Sequence, residues 1–429
     1  MLNLKEVKSE RLGDSYYVLD HKSGLKVFLY PKKGHNSTYA IFGTKFGSIN
    51  TKFKYKNKDE IITVPDGIAH YLEHKLFESE DGDAFTKYAK TGASANAYTS
   101  FDVTGYLFSC TEKFPESLKI LMDLVQDPYF TDETVKKEQG IIAQEIKMYQ
   151  DDPSWRVMFN LYRAMFHNHP VKVEIAGSVE SIAKINPENL YECYKNFYNL
   201  NNMALCISGK IDLEETVKLV DSLIKSNENA PLPECIFPDE PYEIVKNRVV
   251  EKLPVSIPNF QIGFKEKASK ERLTDEEIAQ TGIILYTLAA ESSLLYKELL
   301  DKKLINETFG YEYFEGPMYN AIIFSGEANE PDKINEILIK HVKELKTNGV
   351  RKEDFDRAKR ALYGKAIKMF NSAKNISESM MSLDFAGREL FKSVECLAKT
   401  SLEDVNKRLK SQLDTNNSAI SIILPEGNY

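Results

Sequence analysis

Two histidines and a glutamate, His70, Glu73 and His74, lie in the stretch Gly67-Ile-Ala-His-Tyr-Leu-Glu-His-Lys-Leu-Phe-Glu78, and the chain has only seven histidines in all. Residues three and four apart share one side of an α-helix, so a His-x-x-Glu-His arrangement sets two imidazoles and one carboxylate along a single stripe. Two neutral imidazoles on that stripe can close on one metal ion, and a zinc ion is the expectation. Glu73, one turn away, can then reach the water the ion binds and serve as general base. Its alternatives are a third, anionic ligand or a surface acid, and strain disfavours three ligands drawn from little more than one turn. Pro65 stops what precedes, Asp66 is expected to cap a helix beginning at Gly67, and Ile68, Ala69, Leu72 and Leu76 form an apolar face distinct from the histidines.

A catalytic zinc takes three protein ligands and keeps one position open, so a third ligand must come from elsewhere. A long helix expected from near Asp132 through Met148 offers Glu138 and Glu145. They share a face but stand about 10.5 Å apart along the axis, so both cannot ligate one ion. Spacing leaves the choice open; whichever acid does not bind directly can orient a histidine. The strand Ser94-Ala-Asn-Ala-Tyr-Thr-Ser100 is suited to receive an extended peptide by strand addition, although its periodicity describes an internal strand equally well.

The elements that must carry these residues repeat. Alternation marks strands at Leu25 to Tyr30 and Thr38 to Phe46, followed by a polar insertion from Asn50 to Glu60 and the motif helix. A third strand spans Ala93 to Ser109, with a helix from Pro115 to Val125 before the Asp132 helix. Four prolines between Asn229 and Pro241 mark a linker. Beyond it the pattern restarts: a strand near Asn259 to Phe264, a helix near Glu276 to Leu300, a strand near Asn320 to Gly326, and helices from Asp332 and Lys352. The halves read as copies, with Glu138 meeting Ala358, Glu145 meeting Lys365, and no histidine in the second copy of the motif helix. Residues 1–226 are therefore expected as a zinc-binding domain, 227–244 as linker, and 245–429 as a second copy without metal ligands, giving one zinc per chain.

The formal charge of −8 over 429 residues, with lysines interleaved among acids, argues against a nucleic-acid footprint. The first residues lack an apolar core and no stretch reads as a membrane span, so a cytoplasmic protein without membrane contact is expected. The five cysteines are dispersed and unpaired in pattern, and read as reduced, packed thiols. Lys147, Asp151, Asp152 and Trp155 are assigned no role.

The motif stretch, together with Gly92-Ala-Ser-Ala-Asn-Ala-Tyr-Thr-Ser-Phe101, Gln126-Asp-Pro-Tyr-Phe-Thr131, Glu138-Gln-Gly-Ile-Ile-Ala-Gln-Glu-Ile146 and His169-Pro-Val171, resembles the pitrilysin and insulysin metallopeptidases. The likeness is to their short two-domain form, which includes mitochondrial processing peptidase, and within it to the bacterial YmfH-type branch. It spans the chain and is sharpest before about residue 215. The resemblance implies an α+β fold of two homologous α/β halves, each a mostly antiparallel sheet with helices on one face, together half of a clamshell chamber. It implies His70, His74 and Glu145 as zinc ligands, Glu73 as base and Glu138 as the acid beside the site. It makes Asn96, Ala97 and Tyr98 part of the substrate-binding edge strand, with Asn96 near the reacting carbonyl and Tyr98 bordering a side-chain pocket. The implied activity is endopeptidase cleavage of short unstructured peptides, including in one variant the leader of a bacteriocin precursor; a non-catalytic assembly subunit is the alternative from another class.

One departure matters. Active relatives carry an Arg and a Tyr seven apart that grip the substrate carbonyl, whereas Leu295 to Asn306 contains no arginine, and Leu300 and Asn306 fall near those positions. The resemblance to split dimers implies a paralogous, metal-free partner that brings the clamp, with a homodimer as the other arrangement.

Overall fold

A computed structural model describes residues 4–55, 59–226 and 231–426. Residues 56–58 of the polar insertion and 227–230 at the head of the linker lie outside the described residues. Two compact units are present, one made of 1–146, 174–236 and 368–391, the other of 147–173, 237–367 and 392–429.

The first unit is built on strands β1 (Leu4–Ser9), β2 (Asp14–Asp20), β3 (Lys26–Pro31), β4 (Thr38–Thr44), β5 (Ser94–Thr99), β6 (Thr104–Cys110) and β7 (Met203–Gly209). Their order is β1-β2-β3-β7-β4-β6-β5, antiparallel throughout except for the β3–β7 pair. The expected single strand from Ala93 to Ser109 is in fact the β5–β6 hairpin. The Ser100 N–H bonds the Val103 carbonyl at 2.7 Å and Ser100 Oγ bonds it as well, so the chain turns where alternation alone reads straight on. Cross-strand partners share a face of a sheet. On one face Phe108 meets Tyr88 and Phe114, which belong to helices α2 (Ala84–Thr91) and α3 (Phe114–Gln126). On the other, helix Ala373–Phe385 packs along β7, β4 and β3.

The second unit has β8 (Arg248–Leu253), β9 (Asn259–Lys265), β10 (Gly310–Gly316), β11 (Tyr319–Glu327) and β12 (Ser418–Pro425), in the order β8-β12-β9-β11-β10 with β8 and β12 parallel. That order reproduces β3-β7-β4-β6-β5 strand for strand, including the one parallel pair. Backbone topology therefore supports the reading of two copies. Each copy also gives up a helix. The helix Pro153–Met165 follows the long Asp132–Asp151 helix in the chain yet packs on β12 and β9 of the second unit. Helix Ala373–Phe385, equivalent in sequence order, packs on the first. The close approach is the same in both: a Cβ at Gly43 would run into the Met381 sulfur, and one at Gly263 would stand 2.5 Å from the Met165 sulfur. Each glycine thus faces the flexible end of a methionine on the exchanged helix, so a larger residue there would have to displace that side chain.

The helix expected from Glu276 to Leu300 is two helices, Asp275–Ala289 and Leu294–Asp301, broken where the Ser293 hydroxyl caps the second by accepting from the Tyr296 N–H. The segment Asp275–Asp301 does have the length and apolar composition of a membrane span, contrary to the sequence reading, but 56% of its most apolar window is buried. Ile283, Ile284, Leu285 and Leu288 supply the core of the second unit.

The proline-rich segment is tied down at both ends. Glu234–Cys235 pairs with Lys52–Lys54 in the first unit. Glu240, in the second, accepts from the N–H groups of His167, Asn168 and His169 and from Lys265 Nζ. His169 is fully buried there. Its Nδ1 accepts from the Val171 N–H at 3.1 Å, so its proton sits on Nε2 and donates to the Pro317 carbonyl at 2.9 Å. Burial holds the imidazole down at about 4, with the Pro317 bond and the Glu240 charge only partly opposing. The unfolded imidazole takes a proton near pH 6.5, so native stability is intact above that value and falls by about 3 kcal/mol as the pH drops through 4. Urea unfolding of the second unit from pH 7 to 4 should show that loss, and His169→Gln should flatten it. An unchanged slope in the variant would place the acid sensitivity elsewhere.

Candidate metal centre

Helix α1 (Ile68–Leu76) begins at Gly67, whose φ of 88° and bare Cα are both required, because a Cβ there would collide with the Ala176 carbonyl. This corrects the expectation for Asp66. Its side chain makes no cap bond; the left-handed glycine turns the chain into the helix, and the Asp66 carbonyl accepts from Ser181 Oγ instead. Ile68, Ala69, Tyr71, Leu72 and Leu76 form the buried apolar face, and His70, Glu73 and His74 lie on another stripe, where His70 and Glu73 are buried too.

Helix α4 (Asp132–Asp151) buries Val135, Ile142 and Ile146, a stripe of seven- and four-residue steps. Glu138 and Glu145 each follow one of the first two buried positions by three residues, so that stripe aims both at α1. The Tyr71 hydroxyl donates to the Val135 carbonyl and fixes the two helices to each other. Gln139 adds an anchor on the Ile182 carbonyl at 3.0 Å.

Between these helices, His70 Nε2 lies 3.6 Å from Glu145 Oε1 and His74 Nε2 lies 3.4 Å from Glu145 Oε2. The three side chains offer donor atoms that all fall within 4.8 Å of one another. Direct ion-pair hydrogen bonds are shorter than this, about 2.7–2.9 Å. Ligands at about 2.1 Å around a tetrahedral ion are instead about 3.4 Å apart, so the donor set fits a zinc-sized cation. Glu138 does something different. Its Oε1 accepts from His74 Nδ1 at 2.9 Å, which leaves Nε2 as the lone-pair nitrogen facing Glu145. His70 has no such support, and its buried Nδ1 has no hydrogen-bond partner among the described residues. The geometry thus separates the two acids that spacing alone left tied.

Glu73 is 8% exposed. Burial pushes its carboxyl up, against the opposing pull of the His70 charge, a hydrogen bond from Thr99 and the His74 charge; the Glu145 carboxylate adds to the rise. Burial opposes a charge on His74, yet the Glu138 hydrogen bond and the Glu73, Glu145 and Glu138 charges outweigh it and raise the imidazole. Three carboxylates crowd two imidazoles, a surplus of negative charge that a divalent cation offsets.

The strand β5 lies at the end of its sheet and pairs on one side only among the described residues. Ala97 and Thr99 pair with Tyr106 and Thr104 and share the face toward α1. Asn96 and Tyr98 pair with Leu107 and Gly105 and leave from the opposite face, where Tyr98 packs over Gly105. The Asn96 carboxamide accepts from the Ala97 N–H at 2.8 Å. Thr99 is the member of this strand that the sequence reading missed: its hydroxyl donates to Glu73 Oε2 at 2.7 Å. Period-two alternation with Ala97 was the signal that put it on the side facing α1. In the second unit, Lys365, the counterpart of Glu145, lies over the Tyr286 ring at 5.3 Å. Leu300 is exposed there, and the Asn306 carboxamide is bonded to Thr308, so neither offers a cationic grip.

Residues 64–179 match the family model for Insulinase (Peptidase family M16), and residues 184–362 match that for the Peptidase M16 inactive domain. Among curated proteins the chain is similar to Uncharacterized zinc protease YmfH of Bacillus subtilis, 37% identical over 99% of this chain and 100% of that protein. Among solved structures it is similar to an M16-like peptidase from Alicyclobacillus acidocaldarius, with a TM-score of 0.91, 32% identity and 99% of each chain covered. Pitrilysin shares the fold with a TM-score of 0.77 at 15% identity, and this chain spans 47% of its length. Likeness to YmfH over the whole of both proteins, joined to the two family matches, means that the chain belongs to peptidase family M16, the insulinase family.

Proposed function

We propose that this chain is a zinc-dependent endopeptidase acting on short unstructured peptides, with His70, His74 and Glu145 as ligands of one zinc ion and Glu73 as general base. The observation that carries the reading is the convergence of two imidazoles from α1 on the Glu145 carboxylate from α4, with Nε2 atoms 3.6 and 3.4 Å from its two oxygens and donor atoms of all three within 4.8 Å of one another, beside a buried glutamate. A zinc ion held there would act as a Lewis acid on a peptide carbonyl and lower the pKa of a coordinated water. Glu138 keeps His74 in the tautomer that leaves Nε2 free. Glu73 Oε1 makes no hydrogen bond among the described residues, so it can take the proton of the attacking water and return it to the leaving amine. The outer edge of β5 at Asn96, Ala97 and Tyr98 receives the substrate as an added strand, the Asn96 carboxamide moving off the Ala97 N–H as it does so.

The same reading includes a second subunit. Leu300 and Asn306 provide no cationic clamp, and the chain is about half the length of pitrilysin, so the proposal gives the Arg and Tyr to a paralogous, metal-free partner. A chamber formed by the two chains then sets the size of peptide admitted.

Elemental analysis of the purified chain should give one zinc per chain. Glu73→Gln should keep that zinc while peptide cleavage falls at least about a hundredfold. Zinc-free protein that still cleaves, or a Glu73→Gln variant that cleaves normally, would contradict the assignment. Adding a metal-free paralogue should raise cleavage at least tenfold; no gain would leave the chain as the complete enzyme and remove the partner from the account.

A further inference from the structure

The Glu73 carboxylate has one hydrogen-bond donor among the described residues, the Thr99 hydroxyl at 2.7 Å on Oε2. The terminal torsion of a glutamate is broad and nearly two-fold, so the backbone of α1 places the carboxyl group without fixing its plane. Thr99 supplies that missing constraint from a separate element. It stands on β5, its own first torsion is stiffened by branching at Cβ, and its register opposite Thr104 sets the direction of the hydroxyl. The nearby Thr104 hydroxyl does not compete for Glu73, because its proton is committed to the Phe46 carbonyl at 2.8 Å and it lies 3.5 Å from Thr99 Oγ1.

We propose that Thr99 is a positioning residue for the reaction: it fixes the plane of the Glu73 carboxylate by holding Oε2, and so turns Oε1 to face the water that Glu73 deprotonates. This rests on the peptidase reading of the same site and extends it. Thr99 lies one residue beyond the Asn96-Ala97-Tyr98 edge. A peptide that pairs with β5 therefore settles the strand that also aims the base, and binding and proton transfer share one mechanical element. Among the described residues Thr99 makes no hydrogen bond to His70, His74 or Glu145, so its proposed effect passes through Glu73.

Thr99→Val keeps the shape and removes the hydroxyl, and Thr99→Ser keeps the hydroxyl. On the zinc-loaded protein with its partner, Thr99→Val should lower kcat about 10- to 100-fold with KM within about twofold and zinc content unchanged, because only the aim of the base is lost. Thr99→Ser should recover most of the rate. A loss that falls on KM, that comes with lost zinc, or that Thr99→Ser fails to rescue would overturn the proposal. A readout without turnover separates this proposal from the peptidase reading. In urea unfolding, Thr99→Val and Glu73→Ala should be coupled by about tenfold in the unfolding constant, since a hydroxyl bond to a buried carboxylate exists only when both are present. If no peptide is cut yet the coupling is found, the contact stands and the activity assignment fails. Additive effects within about twofold would refute the Thr99–Glu73 link itself.

Discussion

The candidate site of the first unit depends on the meeting of α1 and α4 at a spacing wider than a direct salt bridge and compatible with ligands of one cation. Each imidazole stands 3.4–3.6 Å from a Glu145 oxygen, too far for a good hydrogen bond and a separation that suits ligands of one cation. Everything around that point serves to hold it. Gly67 allows the sharp entry into α1, the Tyr71 hydroxyl ties α1 to the start of α4, and Val135, Ile142 and Ile146 fix the rotation of α4. A shift of either helix by one turn along its axis would carry Glu145 away from both histidines, since a residue three or four positions off would then face them.

The division of labour among the three glutamates follows from their surroundings. Glu145 faces both Nε2 atoms. Glu138 faces the far nitrogen of His74 and so fixes which nitrogen is free. Glu73 is buried, bonded on one oxygen and open on the other, the condition a proton carrier needs. Identical side chains thus meet distinct surroundings, and the edge strand reaches the site through the Thr99 hydroxyl on Glu73.

Much of this was legible in the sequence because it is local. The His-x-x-Glu-His stripe and the pair Glu138 and Glu145 are short-range patterns that helical periodicity reads directly, and the family motifs point to the same residues. The repeated strand order was foreshadowed by the restart of the strand and helix pattern beyond the proline-rich segment. What was not legible is long-range. An amphipathic helix announces that it buries a face but not against which sheet, so the exchange of Pro153–Met165 and Ala373–Phe385 between the two copies left no local trace. Asp66 had the composition of a cap, yet the tight approach of Ala176 made the glycine decisive. The β5–β6 turn was missed because Ser100 to Val103 interrupts the alternation with side-chain bonds rather than with Gly or Pro. The choice between Glu138 and Glu145 required the direction of the His74 ring, which spacing does not contain.

X-ray absorption at the zinc K edge tests the central claim most directly. For the zinc-loaded chain the account predicts a first shell of nitrogen and oxygen only, at about 2.0–2.2 Å, with the outer-shell scattering of two imidazoles. In Glu145→Ala one oxygen should be lost from that shell while both imidazoles stay. A shell containing sulfur, a single imidazole, or a spectrum unchanged by Glu145→Ala would contradict it.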